Sequence, residues 1–428
     1  MSESHASPFV SFKAEWIGLE AERRLVRLSQ YGADDRGGVT RLLYSASWID
    51  AQQALAAQMA EDGLEVRLDS VGNLYGRLQG EAENEGVIVT GSHLDTVVGG
   101  GKYDGAFGIV AGMMALRSLK ERYGRPRRSI EVVSLCEEEG SRFPLTCWGS
   151  GRILGSYSSA IAATIEDGDG ITLQAAMQEA GFANEEKEPI RSDIAAFVEL
   201  HIEQGGRLED EGLSIGIVDR IVAQKRATVT VRGRSNHAGT TPMHLRKDAL
   251  AAAVEMIEKL YRKVNEEGGP LVATVGFMKL VPNTPNVIPE QVTFTVDMRH
   301  PDDFVLDNCF AACKAEFNAS ASRLGLSLNM DLWMDSKSVA MNASLQGLLR
   351  EQCDRSGVRW RTMASGAGHD AQLFAPFYPT ALLFVPSRGG ISHSEHEYTS
   401  PEELGTGIER LTELLYELGY RNREGNAS

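Results

Sequence analysis

Short apolar runs alternate with helical stretches over the first third of the chain. Val87 to Thr90 is one run and Ile130 to Leu135 another, each of strand length and bounded by polar or glycine-containing segments. Between them, Gly105 to Tyr123 (GAFGIVAGMMALRSLKERY) reads as a helix that is apolar on most of its surface. Upstream, a helix and a turn fill the first 45 residues, broken at Gly32 and at Gly37-Gly38. Ser47 to Glu61 reads as a second helix, with Ser47 as N-cap and Gly63 closing it. Glu65 to Leu78 reads as two strands about a turn at Gly72-Asn73. Strands alternating with apolar helices predict an α/β domain built on a largely parallel sheet.

The middle of the chain changes pattern. Arg226 to Arg232 (RATVTVR) alternates like a half-exposed strand, and Arg246 to Asn265 follows as a long helix. Strands at Leu271 to Met278 and Gln291 to Met298 flank a Pro/Asn-rich loop. Then come a helix from Asp302 to Leu324 and a strand from Leu326 to Trp333. That order, βαββαβ, is the ferredoxin-like split-βαβ sandwich. Afterwards the α/β pattern resumes with a helix, strands at Trp360 to Ala364 and Ala381 to Val385, and a helix from Pro401 to Tyr420. The expected architecture is a discontinuous catalytic domain (1–217 and 334–428) carrying an inserted α+β lid (218–333). Within the lid, alternation puts Gln291, Thr293, Thr295, Asp297 and Arg299 on one, more polar face. An exposed edge at Arg226 to Arg232, or at its partner strand, invites pairing with a second copy.

Composition narrows the function classes. The 428 residues carry 43 Lys+Arg against 59 Asp+Glu, a net charge of −16, which disfavours nucleic-acid and anionic-membrane partners. No apolar run is long enough to span a bilayer, and the opening MSESHASPFVSFKAEW lacks a basic segment followed by an apolar core. Five scattered cysteines, an odd count without metal-finger spacing, fit reduced thiols in a cytoplasmic protein.

The candidate chemistry lies at strand ends. His93, His201 and His393 each follow a short apolar run near acidic residues, the setting in which α/β sheets build sites. Imidazoles and carboxylates there are what zinc or manganese needs. In His93-Leu94-Asp95 the aspartate is placed to accept the N–H of a metal-bound imidazole and fix its tautomer. Asp104, between Tyr103 and Gly105, offers two oxygens at a helix start and so could bridge two cations. Glu137-Glu138-Glu139 closes a buried strand, where adjacent carboxylates repel one another unless cations neutralise them. One of them can ligate while its neighbour stays free as a general base.

These motifs carry a family resemblance. GSHLDTV, the YDG at 103–105, EEEGSRFP, ELHIEQG, SNHAGTTPM, SGAGHDA and GISH occur in chain order. Together they resemble the dinuclear metal amidohydrolases related to aminoacylase and carboxypeptidase, in their ureido-hydrolysing branch. The resemblance covers roughly residues 15–420. It implies two divalent ions per subunit, zinc or manganese, bridged by Asp104, with His93, His201, Glu139 and His393 as the other ligands. It also implies Glu138 as general base, Asp95 supporting the metal-bound imidazole, and His237 reaching the substrate oxygen in a neighbouring subunit's site. Asn286 and Arg299 would hold the substrate carboxylate, with Gln224 and Gly368 lining the pocket. The expected partners are a small anionic ureido substrate and a second copy of the chain, joined through the lid. The C-terminal motif departs from the family pattern, reading GISHSEHEYTS where Asn-Pro would follow the histidine.

Overall fold

A computed structural model describes residues 14–82, 84–182 and 190–421. The leading stretch in which no leader was read therefore lies, up to residue 13, outside the described residues. The chain forms two compact units. One comprises Met1–Asp219, Met341–Met363 and His369–Ser428; the other comprises Arg220–Ala340 and Ala364–Gly368. The lid was expected over 218–333. Its last long strand runs on to Ser336, and Val339–Ala340 pairs with Arg220 and Ile221, which carries the second unit to residue 340.

In the first unit, four strands lie side by side and run parallel: Ile130–Leu135, Val87–His93, Ile194–Ile202 and Thr380–Val385. All but one of their residues are buried, as expected of parallel strands covered on both faces. Antiparallel strands flank this centre: Leu74–Leu78 and Glu65–Leu68 on one side, Ile215–Ile221 on the other. The helix Ala106–Tyr123 crosses over between two parallel strands and is buried along most of its length. The helices Ala14–Ser29 and Pro401–Gly419 cross at a pair of glycines. A Cβ on Gly18 would sit 1.6 Å from the Pro401 carbonyl oxygen, and one on Gly405 would sit 1.7 Å from that of Ala14. Only the missing side chains permit the approach. The helix predicted to be capped by Ser47 begins one turn-position earlier, at Ala46, and its N-cap is Ser45, whose hydroxyl accepts the Trp48 N–H.

The second unit is a five-stranded antiparallel sheet in the order Ser327–Ser336, Ala223–Arg232, Gln291–His300, Val272–Thr274, with Met278–Val281 also paired to Gln291–His300. Val292, Phe294, Val296 and Met298 are buried in one core with residues of the helices Ala249–Glu267 and Asp303–Leu324. Each helix is capped by an aspartate, Asp248 or Asp302, that accepts two main-chain N–H groups. One expectation is corrected. The segment Leu271 to Met278 is not one strand: pairing breaks around Gly276 and leaves two short ones. Of the two edges expected, Ala223–Arg232 is paired on both sides, and the edge is its partner, Ser327–Ser336.

Candidate metal centre

The site residues of the first unit gather at the carboxyl ends of the four parallel strands. His93 is the last residue of Val87–His93, and His201 is the penultimate residue of Ile194–Ile202. Glu137, Glu138 and Glu139 follow Ile130–Leu135, and His393 stands on the loop after Thr380–Val385. All three His Nε2 atoms converge on Asp104: His201 and His93 lie 3.2 and 3.5 Å from Oδ1, and His393 lies 3.4 Å from Oδ2. Glu139 Oε1 is 3.5 Å from His393 Nε2. His93, Asp104 and His201 form one compact group of potential ligand atoms, and Asp104, Glu139 and His393 form a second. Asp104 belongs to both.

The backbone is bent to make this possible. Glu137, Gln204 and His393 all adopt positive φ, a costly conformation for residues with side chains. Gly105 sits at φ 63° with an added Cβ only 2.5 Å from His93, so glycine alone fits beneath the imidazole. The three glutamates then diverge. Glu137 turns back, and its Oε1 accepts the N–H groups of Arg142 and Phe143. Glu138 faces His93, with Oε2 3.9 Å from Nε2, and Glu139 faces His393.

Asp95 takes a different place from the one expected. His93 Nδ1 meets the main-chain oxygen of Asp95 at 2.9 Å, whereas the Asp95 carboxylate is 4.0 Å away. That carboxylate instead accepts the N–H groups of Glu138 and Glu139, at 3.2 and 3.1 Å. It holds the glutamate turn, and the carbonyl fixes the ring. His201 Nδ1 likewise meets the Ile202 carbonyl oxygen at 2.9 Å. With Nδ1 turned to a main-chain carbonyl oxygen, each ring directs Nε2 toward Asp104 Oδ1, and His201 Nε2 also meets the Gly105 N–H at 3.1 Å.

A cation fits this arrangement. Asp104 Oδ1 is buried without a hydrogen-bond partner, between two imidazole nitrogens. Burial would raise the Asp104 carboxyl, but His201, His393 and His93 hold it well below the ordinary range. Burial and then Asp104 push Glu139 up to about 7 and Glu397 up to about 7, while burial and then Glu199 push Asp370 up to about 8. Glu138 is raised further by burial, with His93 opposing and Glu139 and Asp370 adding to it. So many buried carboxyls facing imidazoles, with Asp104 Oδ1 left without a hydrogen bond, is the charge environment of a divalent-ion centre.

Three contributors had not been foreseen. Gln204 Nε2 and Ser392 Oγ donate to Asp104 Oδ2 at 2.8 and 2.9 Å. Glu397 Oε1 accepts the N–H groups of Tyr103 and Asp104, fixing the carboxylate from behind. Gln204 lies inside ELHIEQG and Glu397 inside SHSEHEY, so motif membership was the available signal.

The second unit holds the remaining candidates. His237 is exposed, and its Nδ1 accepts the N–H groups of Gly239 and Thr240, which leaves the proton on Nε2. Asn286 is its neighbour, with the Ala238 N–H bonded to the Asn286 carbonyl oxygen at 3.0 Å. Gln224 and Arg299 are register partners at the far end of the sheet. Arg299 grips Asp297 through Nε (3.0 Å) and Nη2 (2.9 Å) and donates from Nη1 to the Gly366 carbonyl oxygen, two residues before the exposed Gly368. Asn286 and Arg299, expected together on one substrate carboxylate, lie toward opposite ends of the strand Gln291–His300 within the chain. From Gln291, beyond which Asn286 lies, the strand runs eight residues to Arg299, roughly 26 Å.

Comparison with known proteins identifies the family. The family model for Peptidase family M20/M25/M40 matches residues 89–417. The chain belongs to that family. An M20 relative from Bacillus subtilis, an allantoate amidohydrolase, is 48% identical over 92% of this chain and 96% of its own length. An allantoate amidohydrolase from Escherichia coli is 46% identical over 94% and 98%. An N-carbamoyl-L-amino-acid amidohydrolase from Paenarthrobacter aurescens is 35% identical over 92% and 96%. Among solved structures, an amidase of the hydantoinase/carbamoylase family from Burkholderia multivorans superposes with a TM-score of 0.87 at 35% identity, covering 93% of this chain and 97% of that one. An M20 chain of this kind is a hydrolase of C–N bonds. No helix among the described residues is long and apolar enough to cross a membrane.

Proposed function

We propose that the chain is a metal-dependent hydrolase of the ureido C–N bond of allantoate, yielding ureidoglycine, ammonia and carbon dioxide. The carrying observation is Asp104 shared between two ligand groups, with Glu138 beside them and not part of either group. The 46–48% identity to two allantoate amidohydrolases, against 35% to a carbamoyl amino acid enzyme, favours allantoate; an N-carbamoyl-L-amino acid is the second reading.

His93, Asp104, His201, Glu139 and His393 would hold two divalent cations, zinc or manganese. When bound, such ions polarise the carbonyl and acidify water. Ureido carbonyls need that help, because both nitrogens donate into them. Glu138 Oε2 takes the proton of the attacking water and returns it to the leaving nitrogen, a role suited to a carboxyl whose pKa is raised by burial. Asp95 holds Glu138 in place through the main chain. His237, protonated at Nε2, donates to the substrate oxygen as negative charge develops. Gln224 and Arg299 bind the substrate carboxylate, and Gly368 lines the pocket.

The reading includes a homodimer. His237 and Asn286 lie too far from Arg299 along one strand to touch the same small molecule, so a second copy would supply one end. Five buried, unbridged thiols support a reducing, cytoplasmic location.

The test is ammonia release from allantoate and from N-carbamoyl amino acids by purified, metal-loaded protein. Turnover of the carbamoyl amino acids with none of allantoate would overturn the first reading in favour of the second.

A further inference from the structure

A second cavity lies in the first unit, away from the candidate ligands. It opens between the edge hairpin of the sheet (Glu65–Leu68 and Leu74–Leu78) and the short helix Trp148–Ile153. Its volume is about 390 Å³, within the range of small-molecule pockets. Arg67, Tyr75, Arg152 and Arg191 line it, and Ile153 and Ile190 give it an apolar side. No residue of the metal centre takes part.

The arginines differ in what they are bonded to. Arg191 is fully engaged: Nε and Nη2 donate to Asp193 at 2.8 and 2.7 Å, and Nη1 donates to Glu131 at 2.6 Å. Arg77 donates to the other oxygen of Glu131. Asp69, also in the lining, accepts the N–H groups of Val71 and Asn73, the Asn73 side-chain amide and the Tyr75 hydroxyl. Arg67 stands opposite Tyr75 across the hairpin and lays its guanidinium carbon 3.8 Å from the ring centre. Stacking orients a guanidinium plane without consuming its N–H groups, and among the described residues Arg67 has no hydrogen-bond or ion-pair partner. Arg152 donates only from Nη1, to the Tyr157 carbonyl oxygen, and its buried Nε has no partner. A buried donor left in that state calls for a ligand to complete it. Arg77 and Arg191 match Glu131 and Asp193, so Arg67 and Arg152 face Asp69 alone and one positive charge is left over.

We propose that this cavity binds a small phosphomonoester, its phosphate oxygens on Arg67 and Arg152 and its organic body against Ile153 and Ile190. A flat carboxylate is filled by one guanidinium fork, whereas the diverging oxygens of a phosphate can meet two. A bare oxyanion would leave the isoleucine side unused. The inference goes beyond the ureido reaction and does not depend on it.

The experiment is isothermal titration calorimetry of the full-length protein, metal-loaded and chelated, with ribose 5-phosphate and with inorganic phosphate. Ribose 5-phosphate is expected to bind one site per chain in both forms, more tightly than inorganic phosphate does. Arg67→Gln and Arg152→Gln should each weaken it by about 10- to 150-fold, the range for a lost charge-assisted hydrogen bond. Arg67 lies on an exposed strand and donates no hydrogen bond, so its variant should keep the wild-type melting temperature even if Arg152→Gln does not. No binding to the chelated protein overturns the inference, because any anion is then held by the metals. Unchanged affinity in Arg67→Gln overturns it as well. Equal affinity for inorganic phosphate overturns the ester and leaves a site for the bare ion.

Discussion

Asp95 holds Glu138 by its main-chain N–H, at 3.2 Å from Oδ1, while the Glu138 carboxylate turns to His93 and the Cys147 thiol. The proposed base and the proposed ligand Glu139 hang from one carboxylate, so their roles separate by substitution. Glu138→Gln should keep both metals and lose turnover by roughly 10²–10⁴-fold. Glu139→Gln should lose metal, and Asp95→Ala should lose both, because the turn is released. Metal analysis beside ammonia release checks all three; equal metal loss in the two glutamate variants would refute the assignment.

Chelation should have a pH signature. Glu139 and Glu397 at about 7, and Asp370 at about 8, lie above their unfolded values near 4. A raised carboxyl stabilises the cation-free fold below its unfolded pKa, and that contribution is lost as pH climbs through the folded value. His393, raised to about 9 by Asp104, acts with the same sign. Bound cations replace those protons. The melting-temperature gap between loaded and chelated protein should therefore widen from about pH 6 to about pH 8. A gap independent of pH would mean that the cations sit elsewhere.

Subunit exchange tests the shared site. Mixing inactive His237→Ala with inactive Glu138→Gln protein should restore partial activity, because one hybrid site carries both intact residues. No recovery, with exchange demonstrated by native mass spectrometry, would place His237 in its own chain's site or in none.

Gly105→Ala should be disproportionately harmful for a single methyl. Its Cβ would meet His93 at 2.5 Å, and its φ of 63° adds strain of about 1–3 kcal/mol. We expect sharply weakened metal binding by calorimetry, with unchanged far-UV circular dichroism. Wild-type affinity would show that the strand end yields easily.

Much of the fold was legible because period and burial coincide. The strands ending at His93 and Leu135 open on apolar residues and are buried throughout, and Gln291–His300 alternates with every second residue buried. The stretch Leu271 to Met278 misled because its apolar composition hides a break at Gly276. Ser45 and Ser47 are equivalent as letters, and only geometry selects the cap. At the site, residue types announced the histidines and glutamates, whereas side-chain aim was invisible. Asp95 and Arg299 were both assigned a partner by chemical type, yet each bonds something nearer: the Glu138–Glu139 main chain and Asp297.

The centre is also assembled from distant parts of the chain. Asp104 and Ser392, hydrogen-bonded in the finished protein, are 288 residues apart. At ribosomal speeds of about 5–20 residues per second, Asp104 is made on the order of 15–60 s before its last partners. Throughout that interval the nascent chain carries an unclosed cluster of carboxylates and imidazoles. Capture of the proposed cations in their final geometry must therefore wait until the segment bearing Ser392 and His393 has left the exit tunnel, which places their loading late in the protein's biogenesis.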